Sequence, residues 1–174
     1  MSNIILVHPS IEYKEQVWQL KEEFFLANES LAGGSGLEAA ESFEAWIKSL
    51  EICSDALTCP KGKVPSSLYL AIRTEDNRVV GVIDLRHHID HPILSVWGGH
   101  IGYAVRKSER QKGYAKEMLR LNLEHAKQRG IQKVLITCDK DNIASKKTIL
   151  SNHGVYEKDV VVENEVMERY WISL

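Results

Sequence analysis

The sequence contains few cysteines, and no two of them are spaced as a metal-binding or redox pair. Among its 174 residues there are three: Cys53 and Cys59 are near each other in the chain, and Cys138 is remote. An odd number of thiols without a Cys-x-x-Cys pair argues against a disulfide scaffold and against a cysteine zinc site. We therefore expect buried or idle thiols in a reducing cytoplasm.

Long apolar runs and an excess of positive charge are also absent. The first residues hold only the short apolar stretch Ile4–Val7 and no cationic start, so no signal peptide is expected. No apolar run approaches the roughly 18–20 residues that cross a bilayer. The 22 Lys and Arg against 24 Asp and Glu give a net charge of −2, whereas a general nucleic-acid binder needs a basic surface. We expect a cytoplasmic protein without a membrane or nucleic-acid partner.

The length and the apolar pattern predict a single α/β domain over residues 1–174. Hydrophobic residues make up 44% of the chain, enough to form a core without disulfides or metals. Apolar runs at 68–73 and 79–85, joined by a polar turn, predict a β-hairpin. The whole predicted order is a strand, two helices, three strands, a helix, a strand, a helix and two strands.

The segment 102–115 carries the strongest functional pattern. A strand predicted over 99–106 leads into a short polar loop, and a long amphipathic helix begins at Gly113. The first turn of a helix offers backbone N–H groups without internal partners and the positive end of the helix dipole. Gly113 allows close approach, Ala115 is small, and Arg110 and Lys112 add positive charge. The pattern fits a phosphate or pyrophosphate site, with an ordinary strand-to-helix turn as the alternative.

The spacing Arg110-x-x-Gly113-x-Ala115 resembles the Arg/Gln-x-x-Gly-x-Gly/Ala signature of the GCN5-related N-acetyltransferase (GNAT) superfamily. The following strand and the Asn142-x-x-Ser145 helix start are similar to the next elements of that family. Within the family, the residues of segments 98–103, 138–142 and 169–172 resemble those of a subgroup of bacterial predicted acetyltransferases.

This resemblance implies a mixed, mostly antiparallel sheet of about seven strands, flanked by helices and splayed between the fourth and fifth strands. Acetyl-coenzyme A would bind in the opening as co-substrate, and no metal is implied. Its pyrophosphate would bind backbone N–H groups from Arg110, Gln111, Lys112, Gly113, Tyr114 and Ala115. Its pantetheine arm would pair with the main chain of Tyr103, Ala104 and Val105, and Asn142 would hydrogen-bond the arm from the other side. Ser145 and Lys147 would lie near the distal part of the cofactor.

The implied reaction is direct transfer of the acetyl group to a primary amine of a small molecule or peptide, within a ternary complex. The sequence departs from the family at Ile149, where many relatives place a tyrosine that protonates the leaving thiolate. Tyr103, Tyr156 or water could protonate the thiolate instead, or the step could need no dedicated acid, since a thiolate is a fair leaving group. One alternative is a module that binds or senses acyl-coenzyme A without turnover. The other is an enzyme that transfers the acetyl group to oxygen, or that transfers a longer acyl group. The terminal strands could also form a homodimer interface.

A general base is the second open assignment. His100 precedes the predicted cofactor strand and could accept the amine proton, or it could be a structural histidine within the sheet. Asp84, Arg86 and His88 share one side of the neighbouring strand, where Asp84 and Arg86 could equally form a structural ion pair on the exposed face. The histidine-rich stretch 87–91 lacks a fourth ligand at a suitable spacing, so no metal site is predicted.

Overall fold

The computed structural model describes residues 3–174. Its elements follow the predicted order. The strands are β1 (Ile4–Val7), β2 (Ser66–Arg73), β3 (Arg78–Arg86), β4 (Tyr103–Val105), β5 (Lys133–Asp139), β6 (Val155–Val162) and β7 (Glu165–Ser173). The helices are α1 (Lys14–Leu26), α2 (Phe43–Cys53), α3 (Tyr114–Gln128) and α4 (Ile143–Leu150), and a π-helical turn covers Leu94–Gly98.

The seven strands form two sheets that separate between β4 and β5. The first sheet has the order β1-β2-β3-β4 and the second the order β5-β7-β6, and the paired strands in both are antiparallel. The seven strands, the flanking helices and the separation between the fourth and fifth strands confirm the predicted fold.

Two apolar clusters hold the helices against the sheets. On one face, which we call the α3 face, Val80, Ile83 and Leu85 of β3 belong to the cluster that includes residues of α3 and α4. On the other, the α1–α2 face, Val79 and Val82 belong to the cluster formed with α1 and α2. Alternation along β3 places side chains such as Asp84 on the α1–α2 face. No helix within residues 3–174 is both long and apolar enough to cross a membrane.

The strand β4 is shorter than the sequence predicts, because its ladder with β3 is interrupted. The predicted strand covers 99–106, but only Tyr103–Val105 is a strand. The N–H of Gly102 donates to Asp84 Oδ1 at 2.7 Å, so it is directed to a side chain. The carbonyl of Asp84 accepts instead from Asn122 Nδ2 at 2.9 Å. At this point of the β3–β4 ladder, the Asp84 carboxylate therefore replaces the Asp84 carbonyl as the acceptor for Gly102 N–H.

The two sheets are joined at His100, which we call the vertex. The N–H of His100 donates to the carbonyl of Leu135 on β5 at 2.8 Å, and the N–H of Leu135 donates to His100 Nδ1 at 2.9 Å. Gly99 has a φ of 66°, and a Cβ there would lie 2.7 Å from Leu135 O, so glycine permits this approach. From the vertex, β4 and β5 diverge into a V-shaped opening.

The strand β6 forms an outer edge of the second sheet. Val155, Tyr156 and Val161 on this strand are exposed. An exposed apolar edge is a surface on which another chain can pair. The homodimer expected from the sequence stays a prediction.

Candidate active site

The first turn of α3 forms an open, donor-rich loop at the mouth of the V. Gly113 is the N-cap of this 15-residue helix, with a φ of 84°, and a Cβ there would meet nothing within 4 Å. Gln111 also has a left-handed backbone, with a φ of 62°. Alternating left- and right-handed residues direct successive N–H groups into one anion-binding concavity. Glu117 N–H makes the bond to Gly113 O at 3.2 Å, which leaves the preceding N–H groups of the turn without a helical acceptor.

The cations of this loop are bound within the protein. Arg110 pairs with Glu29 at 2.5 Å and donates to Val105 O at 3.1 Å. Lys112 pairs with Glu109 at 2.9 Å. Both side chains therefore brace the loop, and the groups directed outward for an anion are mainly those of the main chain.

A buried arginine that sequence reasoning missed supports the same loop. Arg106, directly after β4, is only 1% exposed and donates through Nε to Val79 O at 2.6 Å. It also pairs with Glu23 and donates to Gln16 O, both on α1. A buried guanidinium requires such partners, so Arg106 fixes the end of β4 against α1. The sequence places it at the end of the strand predicted over 99–106, and nothing there indicates its burial.

The opposite arm of the V contributes Asn142 and Ser145 at the start of α4. Asn142 is the N-cap of α4, and its Oδ1 accepts from the N–H of Ser145 at 3.0 Å. This bond leaves the amide nitrogen of Asn142 unused by the cap. Asn142 and Lys147 are both exposed, so both are accessible to a ligand between the arms.

Tyr103 bridges the two arms on the α3 face. Its hydroxyl lies 2.8 Å from Ser145 Oγ. Burial raises the pKa of Tyr103 to about 12, so the hydroxyl keeps its proton near neutral pH. Ile149, at the position of the family's tyrosine, is fully buried in the core. Tyr156, the other candidate, donates to Asp159 Oδ1 at 2.8 Å on the exposed part of β6.

His100 is held at the vertex by both its main chain and its ring. Because Nδ1 accepts from Leu135 N–H, hydrogen bonding assigns the proton of the neutral ring to Nε2. Burial, reinforced by Arg86, lowers the pKa of His100 to about 4. The only basic lone pair of the neutral ring is therefore already engaged. This geometry favours the structural role that the sequence left open.

A compact polar cluster lies beside the vertex on the α1–α2 face. Asp84 is 3% exposed and its Oδ2 pairs with Arg86 Nη2 at 3.1 Å. Ser35, from the loop between α1 and α2, donates from Oγ to the same Oδ2 at 3.4 Å. Burial raises the pKa of Asp84, although Arg86 opposes the shift. The sequence predicts that Asp84 and Arg86 share one side of β3 and could pair there, which the structure shows. The prediction that this pair is exposed was wrong, because the loop between α1 and α2 covers Asp84.

Two of the three histidines of the stretch 87–91 accept from their own turns, whereas His87 Nε2 lies 2.9 Å from Ser67 Oγ on β2. The N–H of Asp90 donates to His88 Nδ1 and the N–H of Ile93 to His91 Nδ1, each at 3.2 Å. Within residues 3–174, no three side chains of the metal-binding types come together.

The sequence profile of the acetyltransferase (GNAT) domain family matches residues 14–154. The chain belongs to this family. Among solved structures, the GNAT chain is similar to the microcin C7 self-immunity acetyltransferase MccE in complex with acetyl-CoA and AMP, with a TM-score of 0.72 and 17% identity over 100% of this chain and 94% of that one. It is also similar to the acetyl transferase from Salmonella typhimurium that modifies the N-terminal serine of ribosomal protein L7/L12, with a TM-score of 0.70, 17% identity and coverage of 100% and 96%.

A third GNAT structure, the ribosomal L7/L12 alpha-N-protein acetyltransferase RimL in complex with coenzyme A, has a TM-score of 0.69 and 20% identity over 100% of this chain and 96% of that one. Likeness at these identities shows the shared fold. No curated protein matches the chain.

Proposed function

We propose that the protein transfers an acetyl group from acetyl-coenzyme A to a primary amine of a small molecule or peptide. The observation that carries the proposal is the open first turn of α3 at the mouth of the V between β4 and β5. A helix N-terminus with left-handed residues at Gln111 and Gly113 suits a pyrophosphate. Membership of an acetyltransferase family supports the chemistry.

The described residues fit coenzyme A. The N–H groups of 110–115 would hold the pyrophosphate, and open space in front of Gly113 leaves room for it. β4 pairs with β3 on one edge only. Gly102 O and Arg106 N–H bond to β3, so by alternation Ala104 also faces β3, and the main-chain groups directed to the opening are those of Tyr103 and Val105. Of these, Val105 O already accepts from Arg110 Nε. Asn142, Ser145 and Lys147 lie on the other arm. The similar structures of MccE and RimL hold acetyl-CoA and coenzyme A, which supports the same ligand here.

Tyr103 is the proposed proton donor to the leaving thiolate. Its protonated hydroxyl lies between the arms, where Ser145 Oγ orients it at 2.8 Å. Replacement by phenylalanine keeps the packed ring and removes the donor. A thiolate is a fair leaving group, so the donor is expected to assist the step, by about tenfold, and not to be essential.

The amine acceptor is of the same chemical class as the amino-terminal serine modified by the Salmonella relative. A peptide amine is therefore a reasonable first substrate class, beside small-molecule amines. Acyl-coenzyme A binding without turnover is the second candidate, which the absence of a tyrosine at Ile149 favours.

The decisive test compares Gly113→Val with Gly130→Val. Both glycines terminate α3, have φ near 80° (84° and 82°) and would meet nothing within 4 Å at a Cβ. The two variants therefore carry a similar backbone cost, but only Gly113→Val places a side chain over the N-terminal donors. We expect coenzyme A affinity, measured by calorimetry, to fall at least about 100-fold in Gly113→Val alone. Equal affinities in the two variants would remove this loop from the site.

Turnover is measured separately, as free thiol released from acetyl-coenzyme A in the presence of primary amines. Amine-dependent release supports transfer. Tight binding of coenzyme A without amine-dependent release would establish the sensing module instead.

A further inference from the structure

Ser35 has an unfavourable backbone conformation in the loop between α1 and α2. Its φ is 46°, a left-handed value that serine adopts far less readily than glycine or asparagine. Such a conformation persists only where surrounding contacts enforce it, and residues of this kind concentrate at functional sites.

The contacts that enforce the Ser35 conformation pack the loop between α1 and α2 against the chain beside the vertex. Gly33, with a φ of 73°, lies so close to Gly102 that a Cβ on Gly33 would be 2.1 Å from Gly102 O. On the other side, Gly34 O accepts from Trp46 Nε1 at 3.1 Å, which ties the loop to α2. The loop is thus clamped between the chain entering β4 and a helix, and Ser35 has little freedom to leave its place.

This clamp places the Ser35 hydroxyl between Asp84 and solvent. Asp84 is buried, whereas Ser35 is half-buried. Oδ1 of Asp84 accepts from Gly102 N–H at 2.7 Å, and Oδ2 accepts from Ser35 Oγ at 3.4 Å. A proton can therefore reach the carboxylate through the hydroxyl without exposing the carboxylate itself.

The position is suited to the amine rather than to the cofactor. The α3 face carries both α3 and α4, which are the proposed coenzyme A contacts, and Asp84 lies on the opposite face of the sheet. It contacts Gly102, the residue directly before β4, where the thioester would lie beside the vertex. An amine that enters from the α1–α2 face would meet Ser35 at this point.

We propose that Ser35 and Asp84 form a proton relay for the acceptor amine, with Ser35 touching the substrate and Asp84 holding the proton. The inference deepens the acetyl transfer proposed above and rests on it.

In the proposed step, the acceptor ammonium gives a proton to Ser35 Oγ as the hydroxyl gives its own proton to Asp84 Oδ2. The neutral nitrogen then bonds to the thioester carbonyl carbon, the C–S bond breaks, and its electron pair leaves on the thiolate. Tyr103 gives its proton to the thiolate, which leaves as a thiol, and the second nitrogen proton passes through solvent to restore the Tyr103 hydroxyl. The first proton returns from Asp84 to solvent through Ser35, so the net products are the amide, the thiol and one proton.

The other charged groups near Asp84 are compatible with this role. Arg86 pairs with it at 3.1 Å and limits the rise of its pKa, while His100 near Arg86 is neutral because of its lowered pKa. Two further buried carboxylates among the described residues belong to different networks: Glu109 pairs with Arg73 and Lys112, and Glu168 pairs with Lys146.

The test compares benzylamine with hydroxylamine as acceptors for the wild type, Asp84→Asn and Ser35→Gly. Benzylamine is largely protonated near neutral pH and needs a base, whereas hydroxylamine is largely neutral and does not. The amide introduced by Asp84→Asn would keep an oxygen for Gly102 N–H, and glycine accepts a left-handed backbone, so both variants retain the fold. We expect kcat with benzylamine to fall about 100-fold in Asp84→Asn and about tenfold in Ser35→Gly. With hydroxylamine, both variants should stay within about threefold of the wild type, since no relay is required.

The pH profile gives a second readout that a merely structural role would not produce. In Asp84→Asn, the benzylamine rate should recover as the pH approaches the pKa of the amine itself. Ser30→Ala, at an exposed serine in the same loop, is the matched control and should behave as the wild type. Coenzyme A affinity should be unchanged in all three variants.

Two results would count against the relay in different ways. Wild-type benzylamine rates in both Asp84→Asn and Ser35→Gly, or equal losses with the two amines, would overturn the relay alone. Binding of acetyl-coenzyme A by the wild type without thiol release to either amine would overturn the transfer function, and the relay with it.

Discussion

The two faces of the splayed sheet are built from different kinds of groups. The α3 face presents main-chain donors from one continuous segment, residues 110–115, which covers the loop before α3 and its first two residues. The α1–α2 face presents side chains from separate parts of the chain, Ser35 and Asp84, beside the vertex. A main-chain site depends on local conformation, which a short motif can specify. A side-chain cluster depends on the fold that brings its members together.

The largest expected loss of stability follows from disturbing the close packing of Gly33 against Gly102 on the α1–α2 face. Gly33→Ala adds a Cβ that would lie 2.1 Å from Gly102 O at a left-handed position. We expect it to lower the free energy of unfolding by about 2–4 kcal/mol in urea titrations and to reduce amine-dependent turnover. Gly36→Ala is the matched control, because its φ is 85° but its Cβ would meet nothing within 4 Å. It should cost only about 1 kcal/mol. Equal costs for the two variants would show that the clamp is not rigid.

The next effect concerns the vertex shared by the two faces. The pKa of His100 is about 4 in the folded protein against an ordinary value of 6.5. Between these values the unfolded chain binds a proton that the folded chain does not, so stability falls as the pH drops through this window. The share of His100 in this loss is up to about 3 kcal/mol.

The loss is measured by comparing urea midpoints of the wild type and His100→Asn between neutral and mildly acidic pH. The asparagine side chain in this variant would keep an acceptor for Leu135 N–H but cannot titrate, so the variant's stability should fall less steeply with pH. His87, whose pKa burial also lowers to about 4, adds to the dependence in both proteins and cancels in the comparison. Parallel curves would mean that His100 is not held neutral.

The smallest effect tests the α3 face. Asn142→Ala removes the cap of α4, and Ser42→Ala removes the equivalent cap of α2, where Ser42 Oγ accepts from Ala45 N–H at 3.1 Å. Each should cost about 1 kcal/mol of stability. Only Asn142→Ala should also weaken coenzyme A binding, by about fivefold. If both variants bind coenzyme A equally well, Asn142 is a cap and not a ligand contact.

Sequence patterns predicted the fold well where apolar periodicity dominates. The hairpin of β2 and β3 and the long helix that follows Gly113 occur at the predicted places, and the chain ends with the predicted pair of strands. The loop before α3 was also predictable, because glycine and a following amphipathic helix are local signals. The left-handed Gln111 was not, since nothing in its side chain requires that conformation.

Features that depend on contacts between distant residues could not be predicted. The shortening of β4 results from the Asp84 carboxylate taking Gly102 N–H, and the burial of Arg106 results from its contacts with α1. The Gly33–Ser35 segment has the composition of a mobile loop, yet it packs against Gly102. In each case the side chain alone allows several environments, and only the assembled fold selects one.

Ile149 sets a limit on how this acetyltransferase could be redesigned. Its side chain fills the core so closely that a Cβ on Gly154 would lie 2.4 Å from Ile149 Cγ2. Grafting a relative's tyrosine into this position would therefore need compensating space from the neighbouring residues of the same helix turn. Substitutions at exposed positions around the V-shaped opening should therefore be tolerated better than a substitution of the buried Ile149 within α4.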